Sequence, residues 1–479
     1  MSISSALNNA VSGLTANARI AEVTSSNLAN VLTDGYARRS VELSSVQLGG
    51  VGAGVRVDGI NRFVDAGLLA DRRLADAALQ GQERNTNMLV RLEQAIGGPD
   101  DLSGLGARLA AFENALISAS SDPASDARLA TVATRLDALA ATLRANAQTV
   151  QALRTEADAA IGGDIDDLNR ALIQVQDLNA DILRVGASGN DPSALMDARQ
   201  RVVDQVAAIV PVRVQARDDG TIGLLTVSGT TLLDSRAAEF GFTPTPTITA
   251  DMSVASGALS GLTLNGEPID VTRRLDGGTL GASFAMRDQT LVDMQASLDE
   301  VAVDLIARFQ DPANDPTLVA GALGLLTDQG AVMDPADTVG LASRITINAA
   351  IDPSLGGNPA LLRDGLGATA VGAVGNTAQL NQWIAALDAQ RSDQAGMSLQ
   401  SASGRVSILT SQVGATRLSS EEQLSFTSAR WDTLREAELA NGVDTDLELQ
   451  TLLRVEQAYA ANAKVVQTVD FMMQRLMEI

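Results

Sequence analysis

The chain has 479 residues, 35 Lys plus Arg against 58 Asp plus Glu, a formal net charge of −23, and neither cysteine nor histidine. Those two absences exclude a Cys nucleophile, a Ser-His-Asp triad, an imidazole base, a Cys/His zinc site and His- or Cys-ligated haem or iron–sulfur clusters. Lys464, the single lysine, lies in a helical repeat near the C-terminus, which argues against a P-loop and a Schiff-base site, and the acidic field disfavours nucleic acid and anionic lipid as partners.

The N-terminal stretch has no charged side chain before Arg19 and no apolar core, so it does not read as a cleaved secretory signal. Leu7, Val11, Leu14, Ala18, Ala21, Ser25 and Leu28 keep helical three-four spacing with small side chains. Gly49, Gly50, Gly52 and Gly54 do not match a phosphate-binding loop and lead into Val55-Arg56-Val57, which predicts a turn and a strand. A helix closes at Leu89, Leu92 and Ile96, and a shorter one follows at Leu105, Leu109, Phe112 and Leu116. Asp122-Pro123 then starts a helix of about 35 residues with Leu129, Val132, Leu136, Leu139, Leu143, Asn146, Val150 and Leu153 on its apolar stripe. Asp164, Asp166 and Asp167 are expected to begin a separate helix, where acids complement the macrodipole, rather than to form a metal site. That helix carries Leu168, Leu172, Val175 and Ile182, and another runs from about 193 to 209.

At Pro211 the period changes to two: Val212, Val214 and Ala216, a turn at Asp218-Asp219-Gly220, then Ile222 and Leu224. With the Asn265-Gly266 turn this predicts a small β module inserted into a helical domain. Helical spacing returns at Leu291, Met294, Leu298, Val301 and Leu305. Residues 311–375, rich in Pro, Gly, Asp and Asn, predict an irregular region with one strand near 344–347. Helices follow at Trp383 and Leu387 and from Val406 to Leu439, where Asn441-Gly442 is a stop. Thr445 to Glu448 forms a T-x-x-E capping box opening the last helix. In it Leu452, Val455, Tyr459, Asn462, Val466, Val469, Met473 and Leu476 occupy successive a and d positions. All twelve prolines lie between Pro99 and Pro359, so both ends are free of helix breakers. A single seam of small or few apolar residues does not offset the entropy of ordering so long a segment, which makes both ends expected assembly elements, ordered in a multi-chain complex.

The segment from Asn27 to Arg39 has the form of a helix stopped by side-chain hydrogen bonding and a turn. Its Asn27, Leu28, Ala29, Asn30, Thr33, Gly35 and Tyr36 resemble the N-terminal signature of bacterial flagellar axial proteins, the rod, hook and junction components. The other end is similar to the C-terminal signature of the same family through Gln457, Ala458, Tyr459, Asn462, Ala463, Gln467 and Thr468. Gly54 to Arg62, Ser121 to Ala124 with Ala127-Arg128, and Leu195 to Val203 ahead of the Pro211 strand resemble the hook-filament junction branch rather than rod or hook proteins, whose middles are mainly β.

The expected fold is mainly α and discontinuous. Residues 1–62 and 440–479 form a terminal coiled-coil assembly domain, and 63–209 with 282–439 form a long-helix bundle. Residues 210–281 form the inserted β domain. The resemblance implies a structural junction adapter rather than an enzyme, with no catalytic, cofactor or metal residues. It also implies export through the flagellar type III apparatus without a cleaved signal, and an extracellular place in the flagellum. The partners it implies are other copies of the chain in a helical ring of about eleven, the hook protein, the second junction protein and an export chaperone. The hook protein itself or another axial component is the alternative within the family. A secreted carboxylate-dependent glycosidase and an adhesin are alternatives of other classes.

Overall fold

The computed structural model describes residues 3–48, 51–98, 101–392, 396 and 398–477. Helix α1 (Ile3–Ala29) leads into an antiparallel hairpin of β1 (Arg39–Leu48) and β2 (Val51–Arg62), whose expected Gly49-Gly50 turn lies outside the described residues. Four helices follow: α2 (Ala66–Ile96), α3 (Leu105–Ser121), α4 (Asp126–Ala187) and α5 (Ser193–Ile209). Two three-stranded antiparallel sheets come next: β3 (Val212–Ala216), β4 (Ile222–Thr226) and β5 (Thr231–Leu233), then β6 (Phe240–Gly241), β7 (Leu262–Leu264) and β8 (Glu267–Ile269). Asn265 and Gly266 both take positive φ, 52° and 87°, as a two-residue hairpin turn requires.

The chain returns through α6 (Val271–Arg274), α7 (Gly278–Ala285), one π-helical turn (Met286–Thr290) and α8 (Leu291–Gln310). The irregular region contains β9 (Leu326–Asp328), α9 (Leu341–Arg344), β10 (Ile345–Ile347) paired to β9, and α10 (Leu361–Asp364). It is followed by α11 (Ala378–Asp388), a small ribbon of β11 (Arg391–Ser392) and β12 (Leu399–Gln400), α12 (Ala402–Ala440) and α13 (Thr445–Met477). The fold is mainly α. No helix among the described residues is long and apolar enough to cross a membrane.

Two apolar cores hold the body together. In the first, the N-terminal half of α4 packs with α3, α8, α11 and the start of α12. Phe309 stands edge-on to both Phe112 and Trp383, with centroids 5.9 and 5.7 Å apart, and the Trp383 indole donates to the Leu362 carbonyl at 3.1 Å. In the second, the other half of α4 packs with α5, α7 and the strands β3 to β7. The strands therefore share one core with three helices. Antiparallel to α2 runs α12, joined by Arg72–Glu438 (3.0 Å), Gln82 to Ser420 (2.7 Å) and Arg417–Glu93 (2.6 Å).

Helix α4 corrects two expectations. Where a helix of about 35 residues and a second helix begun by Asp164, Asp166 and Asp167 were expected, one helix of 62 residues runs unbroken, about 90 Å long at 1.5 Å per residue. The helix passes through Gly162-Gly163 despite the poor helix propensity of glycine. A Cβ on Gly162 would lie 2.6 Å from Pro244 Cγ, so the glycine lets the segment after β6 cross the helix closely. Asp164 serves as a partner for Arg84 on α2 (2.6 Å), not as a helix start.

Nothing lies within 4 Å of a Cβ built on Gly163. The neighbouring glycines therefore predict opposite outcomes. Gly163→Ala should stabilise the chain by up to about 1 kcal/mol through helix propensity. Gly162→Val should destabilise it by about 1–3 kcal/mol through overpacking against Pro244. Denaturant midpoints of the two variants check the contrast.

Candidate functional site at the joint between the terminal helices and the body

The end of α1 is tied by the side chains of its own exit loop. Asn27, 1% exposed on the last turn, accepts from the Arg39 backbone N–H (3.0 Å) and the Tyr36 hydroxyl (2.9 Å), and donates to the Arg39 carbonyl (2.8 Å). One amide thereby pairs a helix with the first residue of β1, meeting backbone groups that would otherwise be buried without partners. Asn30 donates to the Ser26 carbonyl (2.9 Å) and accepts from the Thr33 hydroxyl (3.3 Å), which caps the helix C-terminus. Gly35 takes φ +74°, and a Cβ there would lie 2.7 Å from Arg201 Cγ, so this turn needs glycine both for its backbone and for its closeness to α5. The Arg39 guanidinium lies 4.8 Å from the Tyr36 ring centroid. Leu28 is half-buried and Ala29 exposed at the end of the helix.

This loop docks on α5 through Asp197, whose side chain is buried. Its carboxylate takes the Arg62 guanidinium at 2.7 Å and pairs with Arg39, while Arg62 also donates to Gln200 at 2.5 Å. The two ends of the hairpin are thus held by one carboxylate. Nearby Arg199 donates to the Asn179 amide oxygen (2.7 Å) and the Gly220 carbonyl (2.8 Å). Burial, and then the charges of Arg62 and Arg73, push its pKa down to about 10, which leaves it charged at neutral pH. Asn27→Ala is expected to cost about 1–3 kcal/mol, since it removes the partner of both Arg39 backbone groups and leaves the Tyr36 hydroxyl with only its contact to the Ser26 hydroxyl. Thermal unfolding, with protease cleavage within residues 30–38 as the local readout, checks it.

The C-terminal helix joins the same place. Where a T-x-x-E capping box was expected, Asp444 is the cap, accepting from the N–H groups of Asp446 (2.9 Å) and Leu447 (3.0 Å). Glu448 turns away to pair with Arg38 at 2.7 Å, because a buried ion pair across the joint is available to it. Arg435 near the end of α12 pairs with Asp34. From here α13 runs antiparallel along α1, with the Asn462 amide against Gly13, so close that a Cβ on Gly13 would lie 2.7 Å from it.

Of the expected C-terminal seam, Val455 and Val469 are buried at 8% and 3% exposure, and Leu452, Asn462 and Val466 are half-buried. Tyr459, Met473 and Leu476 are exposed, a correction to the seam whose cause is the single partner helix: one neighbour covers one face only. On α1 the buried positions are Ala10, Ala16, Val23, Thr24 and Asn27 rather than the expected stripe through Leu7, Val11 and Leu14. The helix is rotated because it also packs on the hairpin, where the Ser12 hydroxyl accepts from the Val55 N–H at 3.2 Å. The terminal helices, expected to order in a multi-chain complex, are thus described as helices packed on one another within a single chain.

Asp197, Arg39, Arg62, Arg38 and Glu448 were not singled out as site residues by sequence reasoning. Their signal was indirect: Asp197 and Arg62 sit inside segments quoted for the resemblance, and Glu448 sits in the supposed capping box. Among the described residues no group of three or more carboxylates could hold a metal ion.

Comparison with known proteins follows the same division. The family profile for the flagellar hook-associated protein FlgK helical domain matches residues 89–324, that for the flagella basal body rod protein residues 7–36, and that for the flagellar basal body rod FlgEFG protein C-terminal region residues 440–479. The chain is 28% identical to flagellar hook-associated protein 1 of Salmonella typhimurium over 325 residues, 64% of this chain and 56% of that protein. It is 26% identical to the Bacillus subtilis protein of the same name over 223 residues, 44% of each chain. Among solved structures it is similar to the flagellar hook junction protein FlgK from Burkholderia pseudomallei, with TM-score 0.44 and 19% identity over 55% of this chain and 46% of that one. The chain spans little more than half the length of the Salmonella relative it matches. With a rod-type signature at each end and the FlgK helical domain between them, the chain is similar to flagellar hook-associated proteins in the order of its matched regions.

Proposed function

We propose that this chain is a structural component of the bacterial flagellum, an adapter between hook and filament that lets the filament assemble. The observation that carries the reading is the joint. A buried carboxylate, Asp197, anchors the paired terminal helices to a rigid body, while α13 leaves Leu453, Tyr459, Phe471, Met473 and Leu476 exposed. A helix apolar on faces its single partner does not reach is suited to burial by further helices. In this reading residues 1–62 and 440–479 form the assembly domain and pack with hook and junction neighbours inside a tube. Residues 63–209 and 282–439 form the outer bundle, with 210–281 as a module on it.

The partners follow from this reading: other copies in a ring of about eleven, the hook protein, the second junction protein and an export chaperone. The place is extracellular, reached by flagellar type III export. The N-terminal motif residues Asn27, Leu28, Ala29, Asn30, Thr33, Gly35 and Tyr36 act by setting the angle at which α1 leaves the body. A hook or rod component is the second reading, and the helical middle of this chain favours the junction. Electron microscopy of a strain lacking the chain tests it: hooks without filaments, restored by the intact chain, are expected, and normal filaments in its absence would overturn the proposal.

A further inference from the structure

With neither cysteine nor histidine in the chain, the methionine thioethers carry most of its capacity to react with peroxide. Their exposure is uneven. Met88, Met286 and Met294 are buried at 5%, 2% and 3% exposure, while Met196, Met252 and Met333 are half-buried in the body. Among the described methionines, those that are well exposed are Met472, Met473 and Met477, at 41%, 49% and 81%, all within the last two turns of α13. The antiparallel pairing explains why. With Gly13 opposite Asn462, Ile3 at the start of α1 stands opposite Met472, and the last buried position of α13 is Val469. Phe471 and Leu476 are exposed beside the three thioethers, and the guanidinium of Arg475 lies 5.3 Å from the Phe471 ring centroid.

We propose that Met472, Met473 and Met477 form an oxidation-sensitive site, at which conversion to sulfoxides by a peroxide blocks packing of the α13 end into the assembly. In each step the thioether sulfur donates a lone pair to one peroxide oxygen. The O–O bond breaks, a sulfur–oxygen bond forms and water leaves, so the sulfur loses two electrons and the peroxide gains them. The product is a polar, chiral group in place of a flexible apolar one. Three such groups in six residues turn the uncovered apolar end into a hydrated one, and it no longer gains from burial. Once assembled, the same end is covered and protected, so sensitivity belongs to the chain before it is incorporated. The consequence for assembly rests on the function proposed above; the selectivity of the chemistry does not.

The test has two arms on the purified full-length chain. In the first, brief hydrogen peroxide treatment and peptide mass spectrometry are expected to show Met472, Met473 and Met477 oxidised at least about fivefold faster than Met88, Met286 and Met294. Equal rates would overturn the site. In the second, the untreated chain, the oxidised chain and the oxidised chain after reduction of its sulfoxides by methionine sulfoxide reductases are added to isolated hooks, and bound chain is counted. Loss of binding by the oxidised chain, with binding restored by the reduction, is expected. Equal binding of oxidised and untreated chain would overturn the effect on assembly. Selective oxidation with no binding even by untreated chain would leave the chemical site standing and overturn the junction reading.

Discussion

Asp197→Ala should lower the stability of the folded chain by about 3–5 kcal/mol, because it leaves Arg39 and Arg62 largely buried without their shared counter-charge. The loss should be local in its structural effect. The two apolar cores do not include Asp197, so the helical body should keep its circular dichroism signal while the hairpin and α1 come loose. Protease cleavage between residues 30 and 38 is the readout, since that loop is held by contacts passing through Arg39 and Gly35. Asp197→Asn keeps the shape and one acceptor oxygen, and should fall between the two. In cells Asp197→Ala should reduce motility through short or missing filaments. Wild-type stability with an uncleaved loop would show that the carboxylate does not hold the joint.

The second large effect is expected at Val469. At 3% exposure it is the last buried position of α13, and Val469→Asp puts a carboxylate where an apolar side chain was covered by α1. A charge buried there costs several kcal/mol, more than a marginal helix pair can hold, so α13 should separate from α1. The body should remain folded and soluble, and the chain should fail to join the hook. Val466→Asp, at a half-buried position, should give a weaker form of the same defect. Deletion of residues 445–479 should give the full one. Limited proteolysis separates the cases in solution, and electron microscopy of complemented cells reads assembly. Motile cells with normal filaments in the Val469→Asp strain would sink the idea that the terminal pair is an assembly element.

Much of this architecture was legible in the residues because the signals are local. Leu105, Leu109, Phe112 and Leu116 mark α3 by spacing alone. The hairpin after Pro211 shows in its alternation, and the Asn265-Gly266 turn in its chemistry, since both positions need positive φ. The motif at Asn27 to Tyr36 was legible as a helix stop for the same reason: its hydrogen bonds stay within twelve residues of Asn27.

Other features depended on groups far apart in the chain. Asp197 lies 158 and 135 residues from Arg39 and Arg62, and Glu448 lies 410 from Arg38. No periodicity links such pairs. The continuity of α4 was hidden because Asp164, Asp166 and Asp167 read as a helix start; the ion pair of Asp164 with Arg84 on α2 shows another use for the first of them. Composition and periodicity by themselves determined a chain without Cys or His chemistry, helical at both ends, mainly α, with a β insertion, because these depend on residue type and short-range spacing. Which faces of the terminal helices are covered, where the joint is locked and which methionines stay exposed were decided only by the tertiary structure, because burial and ion pairing depend on which distant segments share a neighbourhood.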